Sequence, residues 1–318
     1  MYPELMPPLL VALGLALGFV AFLAIGRPVL RRLATRQIRR RPMEAVLVIL
    51  GSVLGTTLIV ASMVVGDSLD RSVRQTAYDV LGPIDEVVRA SSTDLGDAAA
   101  ARVEALRGTP DVDGVLTLRG DLAAASTGTG GRRLASPRTL VWEVDFTAAR
   151  TFGAPEPSGL EAHDPGAGRA VINSNLAEEL EVGVGEHLSV YLYGSPVDLQ
   201  VAAVVSAEGL AGMGLGAAAN RNIFLSPGTL VVAAKQVGAQ PVTSILVSNT
   251  GGVEDGAALT TTVEAKIRDA LSGLDAQGVG VSTPKREVLD AAAETAAVLG
   301  SCSCSSPASA SSPACCSS

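Results

Sequence analysis

Apolar and polar positions alternate along this chain in three different textures. The first is uninterrupted: Leu5–Ile25 and Ala45–Val65 are apolar runs of about 21 residues with no charge inside. At ~1.5 Å of rise per residue, each spans the ~30 Å of a bilayer's hydrocarbon as a helix. Between them lie Arg27, Arg31, Arg32, Arg36, Arg39, Arg40 and Arg41, with no acid before Glu44. Short arginine-rich loops stay in the cytoplasm during insertion, which places Met1 and everything after Asp67 outside. The opening Met1-Tyr2-Pro3-Glu4 lacks the positive start of a signal peptide, so Leu5–Ile25 is expected to remain as a helix rather than be cleaved.

The second texture is helical and amphipathic. Beyond Val65, the spacing of Leu69, Val73, Ala77 and Val80 carries the membrane helix outward as a stalk until Gly82-Pro83 breaks it. Ala98–Leu106 and Ser174–Leu180 read as short helices. Ala257–Leu274 turns Leu259, Val263, Ile267, Ala270 and Leu274 to one face. Thr283 caps a last helix whose first position is Pro284, and Val288, Leu289 and Ala292 lead it back toward the bilayer as a second stalk.

The third texture has the period of a strand. It marks Asp85–Ala90, Gly114–Leu118, Thr139–Val144, Arg169–Asn173, Leu188–Tyr193, Leu199–Val205, Asn222–Leu225 and Ser244–Ser248. Thr127-Gly128-Thr129-Gly130-Gly131 is expected to be a loop, Gly194-Ser195-Pro196 a hairpin turn, and Gly209–Gly216 a flexible connection. The predicted class is a membrane protein with two N-terminal transmembrane α-helices and an α+β extracytoplasmic domain on helical stalks.

Charge sharpens this picture. The net charge of −8 combines an arginine-rich start with a chain dominated by Asp and Glu after Pro42, which makes nucleic acid a poor partner. All four cysteines, Cys302, Cys304, Cys315 and Cys316, fall in the last seventeen residues, leaving the outer domain without a disulfide framework. They lack the structured spacing of a soft-metal site. Ser-Cys-Ser-Cys can be encoded so that a two-base shift of register reads Leu-Phe-Leu-Phe. The tail is therefore expected to be a non-native read-through, after a frameshift near Gly300, of what would be a further membrane helix.

No catalytic set emerges. His163 and His187 read as surface residues. Gly212, Gly214 and Gly216 lack the Gly-Lys-Ser/Thr ending of a phosphate loop, and no serine sits in a nucleophile elbow. The chain is not read as an enzyme and needs no metal or cofactor of its own. Small residues four apart, Gly14 with Gly18 and Gly51 with Gly55, are candidate seams for helix packing in lipid. Arg31, Arg32, Arg36, Arg39, Arg40 and Arg41, interleaved with Leu30, Leu33, Ala34 and Ile38, set topology and suit an amphipathic helix on the anionic inner leaflet or against a partner.

Arg39-Arg40-Arg41-Pro42, followed by Leu50-Gly51, Leu54-Gly55 and Val64-Val65-Gly66-Asp67-Ser68-Leu69, resembles the first core membrane helix of FtsX/MacB/LolC-type ABC transporter permeases. Ala170-Val171-Ile172-Asn173-Ser174-Asn175-Leu176-Ala177 and Val184-Gly185-Glu186 are similar to that family's MacB-like periplasmic core domain. The resemblance covers roughly residues 33–300. It implies an extra N-terminal transmembrane helix at 1–26, a cytoplasmic basic loop at 27–43 and a core transmembrane helix at 44–66. A MacB-like extracytoplasmic domain with its stalks follows at 67–290, with a small β-rich module at 170–206. The start of a lost transmembrane helix and the Ser/Cys-rich tail occupy 291–318.

The resemblance further implies a multi-pass plasma-membrane protein, paired as a homo- or heterodimer in contact with membrane lipids. A cytoplasmic ABC ATPase subunit would bind the ATP, and hydrolysis would be transmitted mechanically to the outer domain. That movement would export a lipid, lipoprotein or small molecule, or activate a hydrolase. Two departures from that pattern are expected: the added first helix, Leu5–Ile25, and the lack of the three membrane helices that should follow the outer domain. A membrane-anchored ligand-binding or sensor protein without transport activity is the other class the sequence allows.

Overall fold

The computed structural model describes residues 42–129, 132–214, 220–274 and 277–302. Leu5–Ile25, the arginine loop and the tail from Ser303 lie outside them. The chain separates into two compact units, one containing the described segment Pro42–Gly66 and the other Asp67–Cys302.

Helix α1 runs without a break over the described residues Pro42–Leu81. Large apolar side chains between Met43 and Val65 stand in the open, among them Leu47 at 71% and Leu58 at 74% exposure. Among the described residues, this is the one helix long and apolar enough to cross a membrane. Within the second unit, Ala77, Val80 and Leu81 are buried, while Val73 remains exposed. The helix ends where Gly82 takes a left-handed turn (φ +50°), its N–H bonded to the Tyr78 carbonyl, and Pro83 follows.

Nine strands follow: β1 (Glu86–Ala90), β2 (Val112–Thr129), β3 (Arg132–Glu143), β4 (Arg169–Asn173), β5 (His187–Leu192), β6 (Ser195–Val205), β7 (Asn222–Leu225), β8 (Val242–Asn249) and β9 (Val279–Ser282). Their order is β3-β7-β4-β6-β5-β2-β8-β1-β9, with β3 also paired to β2. That extra pairing closes six strands into a ring and leaves β2-β8-β1-β9 as an antiparallel sheet at its side. Helix α2 (Thr93–Glu104) links β1 to β2, α3 (Phe146–Thr151) follows β3, and α7 (Gly252–Asp255) and α8 (Thr260–Ala270) link β8 to β9. This side sheet has the split βαβ arrangement, with the other ring strands, β3 to β7, inserted between its second and third strands.

Alternation along the strands sends side chains to two cores. On the sheet face carrying α2 and α8, Val88, Val115, Ile245 and Val247 pack with Ala99, Val103, Val263 and Ile267. On the other face, Val87, Leu116, Leu118 and Leu246 meet Trp142, Phe146, Phe152 and Phe224. Both faces are thus covered, and β8 is buried along nearly its whole length. The ring has its own core, to which all six strands contribute, from Ala123 and Ala125 of β2 to Ile223 and Leu225 of β7. Helices α4 (Ser174–Leu180) and α6 (Thr229–Gln236) add Leu176, Leu180 and Leu230 to it.

Several expectations are corrected. The expected loop is strand as far as Thr129, with Thr127, Gly128 and Thr129 paired to Leu134, Arg133 and Arg132, while Gly130 and Gly131 lie outside the described residues. The small side chains of Ala123 and Ala125 fit the tight interior of the ring, and the buried Thr127 hydroxyl donates to the Leu180 carbonyl. Helix α2 begins at Thr93 rather than Ala98, because Ser92 caps it by accepting from the Leu95 N–H. Gly96 interrupts its apolar pattern because the Thr243 side chain fills the space a Cβ would need. The β5–β6 turn is tighter than expected: Tyr193 and Gly194, both at positive φ, connect Leu192 directly to Ser195. Residues 209–212 form a short buried helix, α5, rather than a flexible connection.

Candidate functional site at the stalk junction

The segment 82–86 and the start of α9 (Pro284–Cys302) are 200 residues apart in sequence and meet in the domain interior. Lys285, at the second position of α9, has no solvent exposure, nor has Asp85, just ahead of β1. Lys285 Nζ donates to Asp85 Oδ1 at 2.8 Å and to the Val253 carbonyl at 3.1 Å. Asp85 Oδ2 accepts the Asn249 N–H at 2.9 Å, and the Asp85 N–H donates to the Val247 carbonyl. Asn249 Nδ2 in turn donates to Glu86 Oε1 at 2.9 Å and to the Gly256 carbonyl at 3.1 Å. The Thr283 N–H reaches Glu287 Oε1, which fixes the first turn of α9. Exit from α1, entry to α9 and the end of β8 are therefore tied in one hydrogen-bonded network.

Its electrostatics are asymmetric. Burial pushes the Asp85 carboxyl above its ordinary value, opposed mainly by the Lys285 ammonium beside it. Burial also pushes Glu86 up to about 8, opposed by the Asn249 hydrogen bond and reinforced by the neighbouring Asp85 charge. Glu86 thus holds a proton at neutral pH. Its Oε2 atom and the Thr260 hydroxyl nearby are buried without a well-aligned partner.

A glycine contact braces the same junction. Gly82 lies so near Gly209 of α5 that a Cβ on Gly82 would stand 2.7 Å from the Gly209 Cα. Close backbone approach accounts for a glycine there. Of the sequence-predicted residues, Gly51 and Gly55 lie on α1 with nothing within 4 Å of a Cβ at either position. Gly14, Gly18, Arg31, Arg32, Arg36, Arg39, Arg40 and Arg41 lie outside the described residues. His163 is exposed, and His187 is exposed with Nδ1 at 3.3 Å from Asp198. No cluster able to hold a metal occurs among the described residues. Asp85, Glu86 and Lys285 were not singled out from the sequence. Two signals pointed to them: an acidic pair opening a valine-rich strand, and a lysine in the first helical turn, where the helix dipole disfavours a cation.

An α+β domain continuous with a helix long and apolar enough to cross a membrane fits a membrane-anchored protein. The match to known families makes the class specific: residues 45–270 fit the MacB-like periplasmic core domain. The chain belongs to that family, the periplasmic core domain of MacB/FtsX-type ABC transporter permeases. No curated protein matches it. Among solved structures, it is similar to the periplasmic region of MacB from Actinobacillus actinomycetemcomitans. That likeness has 12% identity and a TM-score of 0.38, covering 67% of this chain and 93% of that one. The extracellular domain of the ABC-type transporter YknZ from Gram-positive bacteria shows 12% identity and a TM-score of 0.34, covering 63% and 99%. At these scores the family assignment rests on the domain match alone.

Breaking the buried pair on one side only leaves an uncompensated charge. Asp85→Asn or Lys285→Met is expected to destabilise the domain by about 3–5 kcal/mol, and Asp85→Leu with Lys285→Met together to recover most of that loss. Denaturant midpoints of the full chain in detergent check this, and additive single losses would count against it. Glu86 supplies a pH signature. The folded state keeps its proton to about pH 8, whereas the ordinary value is 4.5. The folded state therefore binds more protons between these values, and stability falls as pH rises through that window. Glu86→Gln should flatten most of this decline in thermal midpoints measured from pH 5 to 9; an unaltered slope would refute the assignment.

Proposed function

We propose that this chain is the permease subunit of an ABC assembly and works by mechanotransmission. A cytoplasmic ATPase subunit binds and hydrolyses ATP, two permeases pair in the membrane, and α1 and α9 carry the movement to the outer domain. The observation that carries this reading is the junction: both helices enter one rigid network through Asp85 and Lys285, so displacement of either reaches the β-sheet directly. Membership of the MacB-like family supports the same reading. The domain boundaries expected from the sequence, with a core membrane helix over 44–66, a basic cytoplasmic loop over 27–43 and an added helix over 1–26, are part of this proposal. So is a multi-pass topology in the cell membrane. Export of a lipid, lipoprotein or small molecule, or activation of a hydrolase, is the output, and the chain itself performs no covalent chemistry.

Spin labels on exposed Gln75 of α1 and Asp290 of α9 test the coupling in the full chain reconstituted with its ATPase subunit. ATP should shift the distance distribution between the labels; an identical distribution with and without ATP would argue for the anchored-sensor class instead. Gly51 and Gly55, open along one side of α1, are proposed as the seam with a second membrane helix. Gly51→Leu with Gly55→Leu should weaken self-association of α1 in a membrane two-hybrid assay. Undiminished signal would remove the seam.

A further inference from the structure

Strand β9 ends the sheet. It pairs with β1 alone, over Val279–Ser282, whereas the opposite end of the strand order, β3, is closed onto β2. The Ser91 N–H donates to the Gly278 carbonyl at 3.3 Å, which marks these two as a hydrogen-bonded pair. Such pairs alternate along an antiparallel ladder, so Gly280 and Ser282 turn their backbone groups toward Arg89 and Val87 of β1. Val279 and Val281 turn theirs away from the sheet. Among the described residues, nothing pairs with the outward N–H and C=O groups of either valine.

This edge is unguarded. Val279-Gly280-Val281-Ser282 has no charge and no proline, and its register with β1 runs without a bulge. Gly280 is the odd residue in it. It is exposed, its φ is not left-handed, and nothing lies within 4 Å of a Cβ built on it, so neither a turn nor a contact inside the domain calls for glycine. A glycine inside a strand weakens it and marks a place where another backbone can come close.

The edge is also complementary to itself. Setting Gly280 opposite Gly280 of a second copy, antiparallel, brings Val279 of each chain against Val281 of the other, and the outward N–H and C=O groups satisfy one another. The glycines then form the non-hydrogen-bonded pair at the axis, where Cα atoms approach to ~4.5 Å. Such a two-fold contact uses the same patch on both subunits. So short a strand holds free molecules weakly, but copies confined to one membrane meet at a high effective concentration.

We infer that β9 is the docking edge for a second copy of this chain, joined across a two-fold axis at Gly280 so that the two side sheets become one. The inference rests on the paired-permease reading proposed above and names the surface at which the outer domains meet.

Cysteine pairing tests the register. In the full chain in liposomes, with Cys302, Cys304, Cys315 and Cys316 replaced by serine, Gly280→Cys should form an intermolecular disulfide under mild oxidation, since ~4.5 Å between Cα atoms is within disulfide reach. Two Ser282 positions would lie about 13 Å apart along the paired strands, so Ser282→Cys should cross-link at least tenfold less. Hydrogen exchange reads the edge itself. The Val279 and Val281 amides should exchange at least tenfold more slowly in liposomes crowded with the chain than in lipid-diluted ones. Gly280→Asp, which sets two carboxylates against each other at the axis, should remove that difference. If Gly280→Asp fails to fold, Val281→Pro carries the same comparison at the Val279 amide, because it deletes an outward N–H and spares the ladder to β1. Dimers seen by single-molecule photobleaching without the Gly280 cross-link, or without the slowed exchange, would place the contact elsewhere and overturn the inference while leaving the paired-permease reading in force. Equal cross-linking at 280 and 282 would mean random collision and overturn it as well. Monomers at every protein-to-lipid ratio would overturn both.

Discussion

A carboxylate and an ammonium held together out of water, Asp85 against Lys285, are the constraint around which the outer domain is organised. Taking both charges out of water costs several kcal/mol for each ion, so such a pair contributes position more than stability. Here the position is specific. Asp85 can be satisfied only if the end of β8 presents the Asn249 N–H, and Lys285 only if α9 begins beside Val253. An apolar contact would tolerate a slip of one residue or one helical turn. This network does not, and it therefore sets the register between the helix that enters the domain and the one that leaves it.

The rest of the fold is arranged to make that register matter. Because the six-stranded ring is inserted within the split βαβ sheet, β1, β8 and β9 at the junction are assembled from segments that flank the ring in sequence. Their two buried faces leave little room for independent sliding. Close backbone contact between Gly82 and Gly209 brings the ring side of the structure against the end of α1 as well. The base of the domain is thus fixed from two directions, by charge on one and by bare backbone on the other.

Much of this was legible in the sequence, and what was not has a common cause. Arg169–Asn173, Ser174–Leu180 and Asn222–Leu225 appear with the expected bounds, because each is a compact apolar run or turn with local punctuation, such as Asn173 capping α4 through the Leu176 N–H. The unbroken run of α1 up to Gly82 was readable for the same reason. The β2–β3 hairpin was not, since Ala-Ala-Ala-Ser-Thr-Gly-Thr has strand character only against the partners a closed ring supplies. Asp85, Glu86 and Lys285 owe their roles to contacts far away in sequence, and pattern along the chain carries no record of who meets whom. The α5 glycines read as flexible because local composition cannot distinguish a glycine needed for motion from one needed for proximity.

Strand β2 has a mechanical consequence of its own. It starts at Val112, paired with Asn249 beside the junction, and continues to Thr129 at the opposite hairpin. At ~3.3 Å per residue, its 18 residues trace a path of roughly 60 Å. Its partners change along the way, β8 over the first half and β3 over the second, and its register breaks between Val112 and Gly114 and again between Ala123 and Ala125. The strand therefore bends where one lobe gives way to the other, and a single backbone belongs to both.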